Sequence, residues 1–241
     1  MYDGIRNYFV ECVLADHGVY VDYRATKQVG LSVDLRLAVH ACSSMLNLAD
    51  HVFEEMKAVL TARSINKLSE YHSHLERLCP EFRIIRDCAN AHKHRRLTKH
   101  NPCISGAESI EEVVVVTEYL DEDGPYRIAE KEVHVSLLDG TTRVLHEALE
   151  SVRKMWWDEM TQLGVMQNRA HVPLTPGKQV PCREQPGEAV FLDIKIRQGE
   201  RFKQTTILRR FNYQTMSVEP IDLTGCSAKV TMRAAPDIKQ P

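Results

Sequence analysis

The chain has 241 residues, enough for one large domain or two ordinary ones. Its formal net charge of -2 gives no global attraction to nucleic acid or to an anionic membrane, and it contains no run of about 18 apolar residues able to span a bilayer. The N-terminus, MYDGIRNYFVECVLADHG, lacks the uninterrupted apolar core and small-residue cleavage site of a signal peptide. The seven cysteines are widely spaced, with no C-x-x-C pair, and read as small buried hydrophobes of a protein kept in a reducing compartment.

Tyr2, Ile5, Phe9, Val13 and Leu14 recur at helical spacing and predict a first helix within residues 2–27. Gly30 breaks it, and Ser32 is the expected N-cap of a long second helix. The apolar face of that helix runs through Leu35, Val39, Cys42, Leu46, Ala49, Val52, Phe53 and Met56. Ser64 is the expected cap of a third helix carrying Ile65, Leu68, Tyr71, Leu75 and Leu78, which Pro80 ends. A fourth helix is expected from Glu81 to about Leu97, with Phe82, Ile85, Cys88 and Ala89 inward.

The period then changes. Val113 to Val116 are β-branched, residues 121–125 (DEDGP) are a turn cluster, and Ile128, Val133, Val135 and Leu137 follow, so residues 111–138 predict a β-hairpin. Asp139-Gly140-Thr141-Thr142 starts a fifth helix whose buried face is Val144, Leu145, Ala148, Leu149, Val152, Met155 and Trp156, with Trp157 at its margin. Residues 165–188, with Pro173, Pro176, Pro181 and Pro186, read as an extended linker. Beyond it, 189–197, 202–213 and 228–233 have strand character. The expected fold class is α+β: a helical bundle with an inserted hairpin over 1–164, the linker over 165–188, and a small antiparallel, sandwich-like β-domain over 189–241.

The densest polar cluster is FRIIRDCANAHKHRRLTKHNPC, residues 82–103. Within it, Arg86-Asp87-Cys88-Ala89-Asn90-Ala91-His92 resembles the motif of the HEPN superfamily of helical proteins, whose nuclease members carry Arg, a polar residue, a short spacer and His. The resemblance covers roughly residues 1–160. It implies metal-independent RNA cleavage at a dimer, with His92 as acid or base on the ribose 2′-hydroxyl, Arg86 steadying the phosphate, and Asp87 orienting either of them. The alternative reading of the same residues is structural: Arg86 pairs with a carboxylate and His92 is a helix-surface residue. Arg95, Arg96 and Lys99 form a basic turn that suits a helix C-terminus whether or not RNA binds there. His92 and His94 point apart on a helix, as do His72 and His74, so no metal site is expected, and no cofactor motif is present.

The C-terminal segment carries a second resemblance. Gly199-Glu200-Arg201-Phe202, Pro220-Ile221-Asp222-Leu223-Thr224-Gly225 and Ala228-Lys229-Val230-Thr231-Met232-Arg233 match, in order, a β-module of tailed-phage baseplate and receptor-binding proteins. Phe202, Ile221, Leu223 and Gly225 are the expected interface residues: Leu223 as an apolar plug, Gly225 for a positive φ. Such modules continue beyond Met-Arg, whereas this chain stops at Pro241. The expectation is a longer parent protein or a sheet completed by another subunit, with 189–241 ordered mainly through contacts with other chains.

The leading expectation is therefore a structural or adaptor component of a tailed-phage neck, tail or baseplate. It would be located in the virion after assembly in the host cytoplasm, would be homo-oligomeric, and would bind other virion proteins and no membrane. The alternative is a HEPN-type endoribonuclease or RNA-binding protein, and nucleic acid is an expected partner only in that case.

Overall fold

A computed structural model describes residues 3–94, 96–98, 101–166, 181, 192–194 and 205–221. The first helical run is α1 (Asp3–Tyr8), a π-helical stretch Phe9–Leu14, and α2 (Ala15–Arg24). Ile5, Phe9, Val13, His17 and Tyr20 are all fully buried. Steps of four drift around an α-helix of 3.6 residues per turn, and the wider π turn takes up part of that drift. After β1 (Gln28–Val29) the chain turns through a left-handed run at Gly30, Leu31 and Ser32 into α3 (Val33–Glu55). This 23-residue helix is the centre of the core and packs against α2 on one side.

Four further helices and a sheet surround it. They are α4 (Lys57–Ala62), α5 (Leu68–Leu78), α6 (Glu81–Lys93) and α7 (Leu145–Gln162). Trp156 of α7 is the largest fully buried side chain; its indole N–H donates to the Met45 carbonyl of α3 at 3.1 Å, and it meets Tyr71 and Phe82 edge-on. That hydrogen bond satisfies the indole's one polar atom inside the core. Trp157 is only partly buried, at the margin of the same stripe.

Three helix starts differ from expectation: α7 begins only at Leu145, with Thr142–Val144, expected to open it, forming a short strand, and the other two are those of α3 and α5. Ser32 lies at φ 49° and makes no side-chain cap. The α3 terminus is capped from outside instead: Glu112 accepts the Leu35 N–H at 2.8 Å. Likewise α5 begins at Leu68 rather than after Ser64, and Glu70 of its own first turn accepts the N–H groups of Asn66 (2.7 Å) and Lys67 (3.1 Å). In both cases a carboxylate satisfies helix donors that a sequence serine was expected to meet. Helix α6 also ends earlier than expected, at Lys93.

The sheet is mixed and five-stranded. The predicted hairpin is β2 (Ile110–Asp121) and β3 (Gly124–Ser136), paired antiparallel from Ile110↔Val135 to Asp121↔Gly124. Gly124 sits at φ 105°, a conformation that the tight turn needs and that side-chain-bearing residues avoid. The short β4 (Thr142–Val144) flanks β3. Strand β5 (Asp193–Ile194) pairs parallel with β1. Strand β6 (Thr205–Asn212) lies parallel to β2, and β7 (Ser217–Pro220) returns antiparallel to it, giving the order β4-β3-β2-β6-β7. The class is α+β as the sequence implies, with one refinement: the described C-terminal strands extend the hairpin's own sheet, and β6 joins it parallel.

One residue joins the sheet to the turn before α3. Lys131 of β3, 4% exposed, donates to the carbonyls of Tyr23 (2.7 Å) and Gln28 (2.8 Å) and pairs with Asp34 at 3.2 Å. A buried ammonium requires such partners.

Candidate functional site

The sequence singles out α6. Its inward face, Phe82, Ile85, Cys88 and Ala89, is fully buried, which fixes Arg86 and Asp87 at the rim of the core at 9% and 3% exposure. Arg86 donates through Nε to Asp87 Oδ1 at 2.9 Å and forms an ion pair with Glu76 of α5. Asp87 Oδ2 accepts the backbone N–H of Cys103 at 2.6 Å, and the Cys103 carbonyl accepts the N–H of Leu138 at 2.8 Å. Arg86 and Asp87 thus join α5, α6, the 101–104 loop and the end of β3. Burial and the adjacent Asp87 carboxylate push the Cys103 thiol up to about 12, so it stays protonated.

The other residues of the motif are placed less completely. His92 lies in the last turn of α6, but its side chain is outside the described residues, as are Arg95 and Lys99. Lys93, His94 and Arg96 are exposed. The structure brings Asp87 to Arg86 and adds Glu76, which spacing alone did not suggest. A guanidinium held by two carboxylates is fixed in orientation and already neutralised, so a phosphate would have to displace one of them.

A second polar cluster went unremarked in the sequence. His17, Tyr20 and Arg24 share one face of α2, and His146, Glu150 and Arg153 share one face of α7, by steps of three and four. The two faces meet. His17 Nε2 lies 3.2 Å from Glu150 Oε1, and the His17 and His146 rings stack at 6.3 Å with an interplanar angle of 13°. Arg153 holds the other Glu150 oxygen at 2.8 Å. Glu132 and His134 of β3 border the seam, paired at 2.5 Å, with Arg209 of β6 3.8 Å from Glu132.

The electrostatics follow from this burial. Burial and the neighbouring Arg24 push His146 down to about 4. His17 is lowered by burial, against the pull of Glu150. Burial alone would raise the Glu150 carboxyl, but the Arg153 bond and the facing His17 outweigh it and hold it below the usual range. His17 Nδ1 and Nε2, Tyr20 Oη and His146 Nδ1 are buried with no hydrogen-bond partner among the described residues; His17 Nε2 is near Glu150 but not aligned with it. The signal was legible in principle: histidine and arginine occupy positions on the stripes that bury Ile5, Phe9 and Val13 in one case and Leu149 and Val152 in the other.

The expected interface residues are mostly out of view. Phe202, Leu223 and Gly225 lie outside the described residues. Ile221 is half-buried and donates its N–H to the Leu208 carbonyl at 3.2 Å. Nearby, Leu120, Tyr213, Met216 and Val218 are exposed, and all four residues of β7 are exposed. The Tyr126 hydroxyl donates to the Pro181 carbonyl at 2.6 Å, which sets one residue of the proline-rich stretch against the hairpin.

Among the described residues no group of three or more His, Cys, Asp and Glu is placed to hold a metal ion, and no helix is long and apolar enough to cross a membrane. What the fold and these clusters define, among the described residues, is an α+β protein with buried polar junctions between its elements and an exposed sheet edge. Compared with family models, with curated proteins and with solved structures, the chain matches none.

Proposed function

We propose that this chain is a structural or adaptor component of a tailed-phage particle, in the neck, tail or baseplate, acting through protein–protein contacts. It would be homo-oligomeric, bind other virion proteins, and assemble in the host cytoplasm. The observation that carries the reading is the outer edge of the sheet. Strand β7 is exposed throughout, no described strand pairs with its outer side, and Tyr213, Met216, Val218 and Leu120 gather apolar surface at that end. An open strand edge with exposed apolar side chains is a template for strand addition by another chain. The match of 199–233 to a phage β-module supplies the kind of assembly. Quantitative mass spectrometry of gradient-purified particles tests it: the reading requires a fixed copy number relative to the major capsid protein.

The second reading, a HEPN-type metal-independent endoribonuclease or RNA-binding protein, is favoured by one observation. Asp87 and Glu76 hold Arg86 in a fixed orientation two turns before the exposed Lys93, His94 and Arg96. Its test is RNA cleavage that is lost in His92→Ala with folding intact; Arg86→Ala is less informative, because it also breaks the junction between α5 and α6.

A further inference from the structure

A cleft of about 590 Å³ opens between the α4–α5 turn and one face of α5. We propose that it is a binding site for the phosphate group of a small phosphate ester. Its lining brings Arg63, His74 and Arg77 together with the hydroxyls of Ser64 and Ser69, while the Ser73 hydroxyl donates to the Ser69 carbonyl at 2.9 Å. Ser69, Ser73 and Arg77 are spaced by four along α5, so they stand in one row. Arginine forks and serine hydroxyls are the donors that fit phosphate oxygens.

Arg63 and Arg77 share the surroundings of the cleft with the carboxylates of Glu70 and Glu159, and Arg77 stands about two turns of α5 away from Glu70. Glu159 of α7, 1% exposed, places Oε1 3.4 Å from Arg63 Nη1 and 3.7 Å from His74 Nε2, so one buried carboxylate fixes two of the lining groups from the protein side. The His74 ring also stacks on Tyr71 at 6.1 Å. Glu70, the other lining carboxylate, accepts the N–H groups of Asn66 and Lys67 at the start of α5. Arg77 makes a 3.4 Å bond from Nε to the Ser73 carbonyl and enters no ion pair among the described residues. Among the described residues Arg77 is thus a lining cation without an ion pair. Arg63 uses Nη1 for Glu159 and Nη2 for the Gln162 carbonyl, which leaves donors of its five for a ligand.

The inference is independent of the proposed function and would stand if that reading fell. The test is titration of the full-length chain with inorganic phosphate and with adenosine 5′-monophosphate, followed by calorimetry and phosphorus NMR. Saturable single-site binding is expected, weakened at least about tenfold in Arg77→Ala and in Arg63→Lys, and unchanged in Arg143→Ala, at an exposed position on β4. Arg63→Lys keeps a cation on Glu159 while removing the fork, so it separates ligand loss from misfolding. Tighter binding of the nucleotide identifies an ester as the source; equal binding identifies the free anion. Absence of saturation below about 10 mM, or Arg77→Ala binding as well as the parent, would overturn the proposal.

Discussion

Among the described residues, the buried polar junction on α6 and the one between α2 and α7 are built differently. The one on α6 is closed: Arg86 faces Asp87 and Glu76, and the second Asp87 oxygen holds the Cys103 N–H. The one between α2 and α7 is open: His17, Tyr20 and His146 keep buried polar atoms that no described group meets. A closed network is costly to break at any one member. An open one contains histidines whose charged form burial disfavours, so they resist protonation as pH falls. The contrast predicts that the first junction responds to mutation and the second to acid.

The largest expected effect is at the closed junction. Asp87→Ala leaves the Cys103 N–H and part of the Arg86 guanidinium without a partner, and it should lower unfolding stability by about 3–5 kcal/mol in urea titrations. A loss below about 1 kcal/mol would mean that the network is not closed in solution.

Next comes the pH response of the open junction. His146 titrates near 4 in the fold, and its unfolded counterpart has the ordinary value of 6.5. Because its folded value is depressed, the unfolded chain binds the proton first as pH falls. Stability should therefore decline from about pH 6.5 downward and level off for this group below about 4, by about 3 kcal/mol in all. His17, also lowered, adds in the same direction. Glu150, held low in the fold, adds a further loss as pH falls through its folded value. His146→Leu should flatten the slope between pH 6.5 and 4, read from chemical denaturation at each pH.

Two smaller effects sharpen the comparison at the surface. Glu112→Ala removes the cap of α3 and should cost about 1 kcal/mol, with fraying of the first turn visible as faster amide exchange at Leu35. Glu118 is held by Arg127 and Arg210, each at 2.9 Å or less, on the exposed part of the sheet. Glu118→Gln should cost no more than about 0.5 kcal/mol, and the cost should shrink as salt is added.

How much of this was legible depends on the range of the interaction. The stripes of α3 and α7 and the β2–β3 hairpin follow from local period, and Trp156 fell on its buried stripe as read. The caps did not follow. Glu112 reaches α3 across 77 residues of sequence, and the left-handed backbone at Leu31 and Ser32 turns the serine away. The parallel docking of β6 on β2 has no local signature either, since Val113↔Thr205 joins strands that β3, β4, α7 and β5 separate along the chain. The α6 motif gave Arg86 and Asp87 as neighbours but not Glu76, whose approach depends on how α5 packs. The α2–α7 seam was written in plain view as histidines on apolar stripes, and only the meeting of the two faces gives them a common meaning.

The most direct test of the proposed role is peptide mass spectrometry on gradient-purified particles, quantified against the major capsid protein. A constant ratio across the particle peak, at a copy number that fits a symmetric ring, is what the account predicts. Absence from the particles, with the protein abundant in the infected cells that produced them, would contradict it.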